Sequence, residues 1–332
     1  MRIVVTGGSG FLGAHVAKAV LRAGRLRDAS GTLCEVTAVT IADLRAPTDP
    51  WMRDPRVRIV TGDLADPAFV ASLLEEGCDS LFHFAAILKA DADRDRSAAV
   101  RFNVLGLVSI LERIRALGTH PKFFFASSSG VFENGIDTVS ELTRHRPTST
   151  YGAHKAIGEL LVDDYSRTGA IDGRGLRFPI VMVRPNRADR TVSNAISAIV
   201  REPLQGVDIE IPYEPGLRMP VTSVETAAHS TLLMHDLPAD RFTGSRTANL
   251  PALSVTLAEI ADAVQRRNPL GKRGTIRWRP DPAAMRVFLG RPESIPGEWC
   301  TAQGIAADRS IDAIIDAFAA GTGQLKPRDE HP

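Results

Sequence analysis

The chain has 332 residues, and its 40 basic and 39 acidic side chains leave a formal net charge of +1 at pH 7. This balance argues against nucleic acid or an anionic membrane surface as a partner. The sequence has no stretch of about 18 apolar residues that would predict a membrane span. Its first strand-like run starts at Arg2, so we expect no signal peptide and a cytoplasmic location. Cys34, Cys78 and Cys300 are too widely spaced to indicate a disulfide or a metal site.

Short apolar runs alternate with longer amphipathic segments through the first half of the chain. Buried strands are predicted at residues 2–6, 35–41, 57–61, 80–84, 122–126 and 174–183. Helices are predicted at residues 11–23, 67–76, 98–117 and 151–167, and the polar insertion 25–33 is predicted to be a loop. Such alternation predicts parallel strands joined by right-handed crossovers. The predicted fold class is therefore α/β, with a Rossmann-type doubly wound parallel sheet.

The pattern changes after Pro185. Turn-forming residues become frequent, the alternation of strands and helices ends, and helical spacing returns at residues 256–267 and 310–318. We therefore predict two parts. Residues 1–185 form the doubly wound sheet, and residues 186–325 form a smaller mixed part, some of whose segments return to the core sheet.

A glycine-rich turn links the first predicted strand to the first predicted helix. Gly7 permits a tight turn, Gly10 lets the backbone approach a pyrophosphate, and Gly13 allows the helix to pack closely on the strand. The N-terminus of the helix then offers N–H groups to the phosphates. In this strand–turn–helix setting the motif predicts a dinucleotide-binding site.

An acidic residue, Asp43, follows the second predicted strand. A carboxylate at this point can accept hydrogen bonds from both hydroxyls of the adenosine ribose. It would also repel a 2′-phosphate, which favours NAD over NADP as the cofactor. Arg45, two residues later, could neutralise such a phosphate, so the sequence leaves NADP open as an alternative.

Tyr151 and Lys155 lie four residues apart on a predicted helix and therefore share one face. A free tyrosine has a pKa near 10 and is a poor base at neutral pH. One positive charge about 5 Å away lowers the pKa of the phenol by about two units at an effective dielectric constant of about 20. The pair therefore predicts general acid–base chemistry.

Ser127, Ser128 and Ser129 follow the fifth predicted strand, where open α/β sheets bind their ligands. Spacing alone does not decide which of the three serines is catalytic.

Together these motifs resemble the extended short-chain dehydrogenase/reductase family over residues 1–185. Further segments that carry the resemblance, in chain order, are Gly62-Asp63-Leu64, Ala85-Ala86, Asn103-x-x-Gly106 and Val131-Phe132. The resemblance implies that residues 1–185 are an NAD-binding Rossmann domain with a catalytic Ser, Tyr and Lys. It implies that residues 186–325 are the smaller substrate-binding part.

The resemblance also implies roles for individual residues. The implied cofactor-binding set is Gly7, Gly10, Phe11, Leu12, Asp43, Asp63, Leu64, Ala85, Ala86, Tyr151, Lys155 and Pro179. Tyr151 is implied as the general base, and Lys155 as the residue that lowers the phenol pKa and holds the nicotinamide ribose. Counting back from the Val-Phe pair gives Ser128 as the hydroxyl that positions the reacting oxygen, with Ser127 as second choice. Asn103 is implied as the anchor of the active-site hydrogen-bond network.

One position departs from the nucleotide-sugar epimerases and dehydratases of this family. Those enzymes have a substrate-binding Asn after the sixth strand, whereas this chain has Ile180, which cannot make a polar contact. Two alternatives to a dehydrogenase stay open: an epimerase or dehydratase that retains its NAD, and a non-catalytic NAD-binding regulator. Ile180 argues against the first alternative. The joint presence of Ser128, Tyr151 and Lys155 argues against the second.

The remainder of the chain resembles a branch of the family that oxidises short sugar acids. This resemblance rests on residues 161–166, 172–174, 201–204, 249–256 and 277–282. The implied reaction is oxidation of the C2 hydroxyl of a four-carbon sugar acid by NAD. Arg218 is the candidate for binding the carboxylate, because a guanidinium can bind both oxygens. Ser193 and Asn194 are candidates for binding the hydroxyls.

The family resemblance implies an oligomer as well. The implied oligomer is a homodimer in which the helices predicted at residues 98–117 and 151–167 pair across the subunits.

Overall fold

The computed structural model describes residues 1–46, 49–133, 135–185, 192–266, 274–288 and 290–321. Residues 186–191, where the second predicted part begins, lie outside this set. In chain order the strands are β1 (Arg2–Thr6), β2 (Arg25–Arg27), β3 (Leu33–Glu35), β4 (Ala38–Asp43), β5 (Val57–Thr61), β6 (Ser80–His83), β7 (Lys122–Ser128), β8 (Asp172–Phe178), β9 (Ile180–Met182), β10 (Ile209–Ile211), β11 (Arg218–Ser223), β12 (Thr247–Asn249), β13 (Leu253–Thr256) and β14 (Ile276–Trp278).

The helices lie between these strands. They are α1 (Phe11–Ala23), α2 (Pro67–Leu73), α3 (Lys89–Arg94), α4 (Arg96–Val100), α5 (Gly106–Leu117), α6 (Thr150–Arg167), α7 (Val192–Leu204), α8 (Val224–Asp236), α9 (Leu257–Arg266), α10 (Pro282–Met285), α11 (Glu298–Ala302) and α12 (Ile311–Gly321). Short 3₁₀ helices occur at Pro50–Arg53, Ser129–Phe132, Ala239–Arg241 and Arg286–Phe288. Among the described residues, no helix has both the length and the apolar character that crossing a bilayer requires.

The central sheet has seven strands in the order β5-β4-β1-β6-β7-β8-β12. Every neighbouring pair in it is parallel. Ile3 and Val5 of β1 face the core that α1 and α8 cover. Val4 between them faces the core beneath α2, α5 and α6, because successive strand side chains point to opposite faces. The prediction of a doubly wound α/β fold is confirmed.

The sixth predicted strand is interrupted at Pro179. β8 ends at Phe178 in the central sheet, whereas β9 pairs in parallel with β11 in a separate three-stranded sheet. Proline has no N–H to donate to a strand neighbour, so it marks the point where the chain leaves one sheet for the other. The prediction of a single strand over residues 174–183 is therefore wrong. The break carries Ile180 into the smaller sheet.

The insertion before the second core strand is a hairpin and not the predicted loop. β2 and β3 pair antiparallel around a turn in which the Asp28 carboxylate accepts hydrogen bonds from the Ser30 and Thr32 N–H groups, at 2.9 and 3.0 Å. The core strand then starts at Ala38 and extends to Asp43. The Asp43 carboxylate is therefore at the end of this strand.

Part of the chain after residue 192 packs around a second apolar core. α7, α9 and α12 enclose it together with the sheet of β9, β11 and β13. β12 pairs in parallel with β8 at the edge of the central sheet, and α8 packs against α1. The division into two parts at residue 185 stays a prediction.

Candidate active site

A cavity of about 890 Å³ opens where β1, β4, β6 and β7 end. Open parallel α/β sheets bind their ligands at this edge. The sequence-predicted residues on its wall are Gly7, Gly10, Phe11, Leu12, Asp43, Leu64, Ala85, Ala86, Ser128, Tyr151, Lys155, Pro179 and Ser193. The other predicted site residues, Asp63, Asn103, Asn194 and Arg218, have surroundings of their own, described below.

The glycine loop closes tightly over the end of β6. Gly7 has φ of +69°, and a Cβ there would lie 2.5 Å from the Ala85 nitrogen. A Cβ at Gly13 would lie 2.3 Å from the Gly7 carbonyl oxygen. Gly10 is the N-cap residue of α1 and brings no side chain to its first turn, so the N–H groups of that turn can bind a phosphate.

Asp43 lies beside this loop at the end of β4. Its Oδ2 accepts a hydrogen bond from the Ser9 N–H at 3.1 Å, and its Oδ1 accepts one from the Leu44 N–H at 2.8 Å. These two donors fix a carboxylate on the cavity wall next to the first turn of α1. Arg45 also lines the cavity, so the alternative raised by the sequence has a place in the structure as well.

We expect Asp43→Asn to narrow the preference for NAD over NADP by about tenfold or more, because it removes the charge that repels a 2′-phosphate. The measurement is the ratio of kcat/KM for the two cofactors at one acid concentration. Asp49→Asn, also on the cavity wall, is the matched control. A wild-type enzyme that used both cofactors equally well would contradict this role of Asp43.

The turn after β5 contributes one of its two predicted residues to the cavity. Leu64 is buried and lines the cavity. The Asp63 carboxylate instead accepts a hydrogen bond from the Ala65 N–H at 2.8 Å and so shapes the turn before α2. Gly62 lines the cavity from the same turn.

The Ser128 hydroxyl accepts a hydrogen bond from the Gly130 N–H at 3.1 Å, and it lowers the pKa of the Tyr151 phenol on the same cavity wall. Tyr151 lies in the first turn of α6, which packs closely on the turn after β7, since a Cβ at Gly152 would lie 2.3 Å from the Gly130 carbonyl oxygen. Lys155 Nζ donates to the Ala126 carbonyl at 2.7 Å and lies 5.6 Å from the centre of the Tyr151 ring. The structure thus gathers the predicted Ser, Tyr and Lys on one wall of the cavity.

Burial dominates the ionisation of this group. Burial raises the pKa of Tyr151 to about 12. The Ser128 hydroxyl and the charges of Arg184 and Arg291 lower this pKa, but their effect is smaller. Burial also lowers the pKa of Lys155 to about 8. The expectation that Lys155 brings the phenol pKa below 10 is therefore not met in this structure. The causes that lower it are Ser128 and the two arginines.

The neighbouring serine has a different partner. Ser127 Oγ donates to the carboxylate of Glu159, which is buried beneath the cavity wall. The Arg177 guanidinium binds the same carboxylate, with an Nη2–Oε2 distance of 2.7 Å. Ser127 is thus bound to a buried ion pair, whereas the Ser128 hydroxyl acts on the pKa of Tyr151 on the cavity wall.

Asn103 lies on a π-helical turn, Arg101–Leu105, between α4 and α5. The sequence predicted one continuous helix here, and it missed this turn. Asn103 Oδ1 accepts from the Ile87 N–H at 2.8 Å, and its Nδ2 donates to the Ile87 carbonyl at 3.0 Å. Asn103 therefore holds the backbone that follows β6, and π-helical turns are frequent at functional sites.

The two predicted hydroxyl-binding residues on α7 differ in their surroundings. Ser193 lines the cavity. Asn194 is buried, and its Oδ1 accepts a hydrogen bond from Arg201 Nη1 at 2.9 Å. Arg201 also donates to the Arg184 carbonyl, so Asn194 belongs to the network that holds this part of the wall.

Arg218 lines a smaller cavity of about 180 Å³. Its Nη1 donates to the Ser254 carbonyl at 2.8 Å and lies 3.7 Å from Glu259 Oε2, near the surface. Ile180 and Arg291 line both this cavity and the larger one. Arg218 is therefore on the smaller cavity, whereas Tyr151 is on the larger one and Arg291 lines both.

Among the described residues, six charged residues that the sequence did not indicate line the larger cavity: Asp49, Lys89, Asp93, Glu133, Arg184 and Arg291. Arg184 lies two residues after the end of β9, and this position was the one signal in the sequence that could have indicated it. Lys89 and Asp93 lie on α3, whereas Asp49, Glu133 and Arg291 come from separate segments that no spacing relates.

The glycine loop, the carboxylate after β4 and the Ser–Tyr–Lys group define a dinucleotide-dependent oxidoreductase of the Rossmann type. The comparisons with known proteins agree. The sequence profile of the NAD-dependent epimerase/dehydratase family matches residues 3–240. The chain belongs to this family. It is an NAD-dependent oxidoreductase of the extended short-chain dehydrogenase/reductase type.

Individual relatives are similar over almost the whole chain. The D-erythronate dehydrogenase of Cupriavidus necator is 34% identical over 98% of this chain and 100% of its own length. The D-erythronate dehydrogenase of Haemophilus influenzae is 31% identical over 96% of this chain and 98% of its own. Among solved structures, the nucleoside-diphosphate-sugar epimerase of Agrobacterium tumefaciens superposes with a TM-score of 0.90 at 27% identity, covering 98% of this chain and 95% of that one.

Proposed function

We propose that the chain oxidises the C2 hydroxyl of a short sugar acid, D-erythronate, to 2-oxo-erythronate with NAD. The observation that carries the proposal is the placement of Ser128, Tyr151 and Lys155 on the wall of a cavity that the glycine loop, Arg184 and Arg291 also line. The arginines suit an anionic substrate. The names of the two relatives support the same substrate class.

The residues divide the work of the reaction between them. Bound NAD supplies the hydride acceptor. Tyr151 takes the proton of the C2 hydroxyl as the hydride leaves the same carbon, so the C2–O single bond becomes a carbonyl. Ser128 holds the reacting oxygen, and Lys155 stabilises the phenolate and holds the nicotinamide ribose. Asn103 keeps the segment after β6 in place.

The dinucleotide is held by the residues around the glycine loop. Gly7 and Gly10 leave space for the pyrophosphate on the first turn of α1, and Asp43 accepts from the ribose hydroxyls. The remaining proposed contacts come from Phe11, Leu12, Leu64, Ala85, Ala86 and Pro179, all on the cavity wall. Asp63 acts on this site through the turn that it shapes.

The test is a screen of NAD reduction with D-erythronate, other short aldonates and hydroxy acids, and nucleotide sugars. We expect net NADH formation with D-erythronate. Interconversion of a nucleotide sugar without net NADH would favour the epimerase class of the Agrobacterium tumefaciens structure, which Ile180 opposes. NAD binding without turnover of any compound would favour a regulator.

We also propose that two copies of the chain associate through α5, α6 and the π-helical turn. The apolar side chains of Leu105, Ile157 and Leu160 are 52%, 41% and 68% exposed on this surface. Burying them between two copies would remove apolar area from water.

The three cysteines are free thiols, which suits the cytoplasmic location that we propose.

We expect Leu160→Lys to convert a dimer into a monomer, because it places a charge at the most exposed of these apolar positions. Size-exclusion chromatography with light scattering measures the mass directly. Leu142→Lys is the matched control, since Leu142 is 96% exposed on a loop away from these helices. A wild-type monomer, or an unchanged dimer in Leu160→Lys, would contradict this arrangement.

A further inference from the structure

Arg291 lies at the junction of the two cavities. It lines both of them, and Ile180 and Ser129 line both as well. Its charge acts on the Tyr151 phenol, and it lowers that pKa together with Arg184. Arg291 and Tyr151 line the same cavity, and the charge of the guanidinium acts on the phenol that is proposed to accept the proton.

A buried carboxylate holds Arg291. Glu133 is 1% exposed, and its Oε1 lies 3.4 Å from Arg291 Nη2. The same oxygen accepts from Lys89 Nζ at 2.7 Å, and Oε2 accepts from Thr148 Oγ1 at 3.1 Å. The side-chain hydrogen bond and the two cations hold the pKa of Glu133 below its ordinary value despite burial. One negative and two positive charges leave a net positive charge on this wall.

The chemistry of a 2-hydroxy acid restricts where its carboxylate can lie. The carboxylate carbon is bonded directly to C2, which carries the hydroxyl. A side chain that binds the carboxylate must therefore lie beside the residue that takes the hydroxyl proton. Arg291 meets this condition, whereas the Arg218 guanidinium is held at Ser254 on the smaller cavity.

Arg184 is the other guanidinium near Tyr151. It lies over the ring of Phe11, 5.1 Å from the ring centre. Phe11 is the first residue of α1 and belongs to the turn that follows the glycine loop. Arg184 is therefore on the dinucleotide side of the cavity, and Arg291 is on the side of the smaller cavity.

We propose that Arg291 binds the carboxylate of the substrate and that Glu133, held by Lys89, positions its guanidinium. This assignment rests on the proposed function, and it gives Arg291 the role that the sequence suggested for Arg218. A guanidinium fork can bind both carboxylate oxygens, which orients C2 toward Tyr151. Glu133 is a positioning residue because it acts through Arg291.

The test compares an acid with its neutral analogue. D-erythronate and D-erythronamide, in which an amide replaces the carboxylate, are compared by kcat/KM in wild type, Arg291→Met, Arg291→Lys and Arg218→Met. We expect Arg291→Met to raise KM for the acid about 10- to 100-fold, to leave KM for the amide unchanged, and so to abolish the preference for the acid. The KM of Arg291→Lys for the acid should lie between those of wild type and Arg291→Met, because lysine keeps the positive charge but lacks the two-pronged guanidinium. NAD affinity should stay the same.

Two further variants separate positioning from folding. Glu133→Gln should raise KM for the acid less than Arg291→Met does and should leave the amide unaffected. Arg279→Met is the matched control, because Arg279 is an exposed arginine that pairs with Glu210 at 3.5 Å. If Arg291→Met fails to fold, Arg291→Lys and Glu133→Gln give the same comparison.

The outcomes separate this assignment from the proposed function. Three outcomes would overturn the role of Arg291 but not the proposed function. They are an unchanged KM for the acid in Arg291→Met, a larger rise of this KM in Arg218→Met, and a wild-type enzyme that oxidises the amide as well as the acid. If another 2-hydroxy acid is oxidised in place of D-erythronate, the proposed substrate is wrong, and the variants are compared with that acid and its amide. A wild-type enzyme that oxidises no acid would overturn both proposals.

Discussion

Replacing Tyr151 by Phe should reduce kcat for oxidation of the acid by a factor of about 10² to 10⁴, which is the usual contribution of a positioned general base. The ring would still fill its buried place on α6, and the proton acceptor would be gone. NAD affinity, measured by calorimetry, should stay within a few-fold, because the glycine loop and Asp43 are untouched.

The control for this variant lies on the same helix. Tyr165 donates its hydroxyl proton to Glu112 at the surface, far along α6 from the cavity. Tyr165→Phe should keep wild-type turnover. A decrease of less than about tenfold in kcat for Tyr151→Phe would contradict its role as the base.

The pH dependence of the wild-type enzyme tests the same residue. A base must be deprotonated before it accepts a proton, and the pKa of Tyr151 is about 12. The rate of oxidation should therefore rise with pH between about pH 7 and pH 10. Lys155, with a pKa of about 8, loses its charge over this range. The nicotinamide ribose that we propose it holds would then be bound less firmly, so the rise should stay below tenfold per pH unit. The residual rate of Tyr151→Phe should be flat.

Replacing Arg177 by Met should lower the free energy of unfolding by about 3–5 kcal/mol, the usual cost of leaving one buried charge without its partner. The side chains of Arg177 and Glu159 are 3% and 2% exposed. Arg177 Nε lies 3.0 Å from both carboxylate oxygens, and the ion pair also anchors Ser127 at the end of β7. Urea denaturation followed by circular dichroism measures the loss.

A double variant separates the cost of an isolated charge from the loss of packing. Arg177→Met with Glu159→Leu should be less destabilised than Arg177→Met alone, because no charge is left buried. Arg167→Met is the surface control, since Arg167 pairs with Asp164 at an exposed site and such pairs contribute about 0–1 kcal/mol. Equal losses in Arg177→Met and Arg167→Met would contradict the buried-pair account.

The local pattern of apolar residues was sufficient to predict several strands and helices of the central sheet. β1, β5 and α1 have the bounds that apolar periodicity predicts, because a buried parallel strand is a short apolar run and a helix over a sheet shows a period of 3.6 residues. The glycine loop was readable for the same reason. A positive φ at Gly7 and a close contact at Gly13 are requirements that only glycine meets.

Charged side chains inside strands show where the pattern fails. Arg174 of β8 is fully buried, and it donates to the His235 and Leu237 carbonyls at the end of α8. Lys122 of β7 donates to the same His235 carbonyl at 2.8 Å. A cation suits the C-terminus of a helix. The helix that receives these bonds lies far along the chain, so no local signal marks them.

The sequence by itself determined the fold class, the dinucleotide loop, the carboxylate after β4 and the Tyr–Lys pair, because each depends on spacing within one turn, strand or helix. Only the tertiary structure decided which serine hydroxyl acts on the pKa of Tyr151, where the sixth strand breaks, and which arginines share a cavity with the phenol. Ser127 and Ser128 differ only by the face of β7 on which they lie, and Glu159 on α6 occupies one of those faces. Arg218 is the first residue of β11 and Arg291 lies far along the chain after α10, so their positions relative to Tyr151 depend on tertiary packing. Contacts between distant segments have no period in the sequence, so they become visible only when the chain is folded.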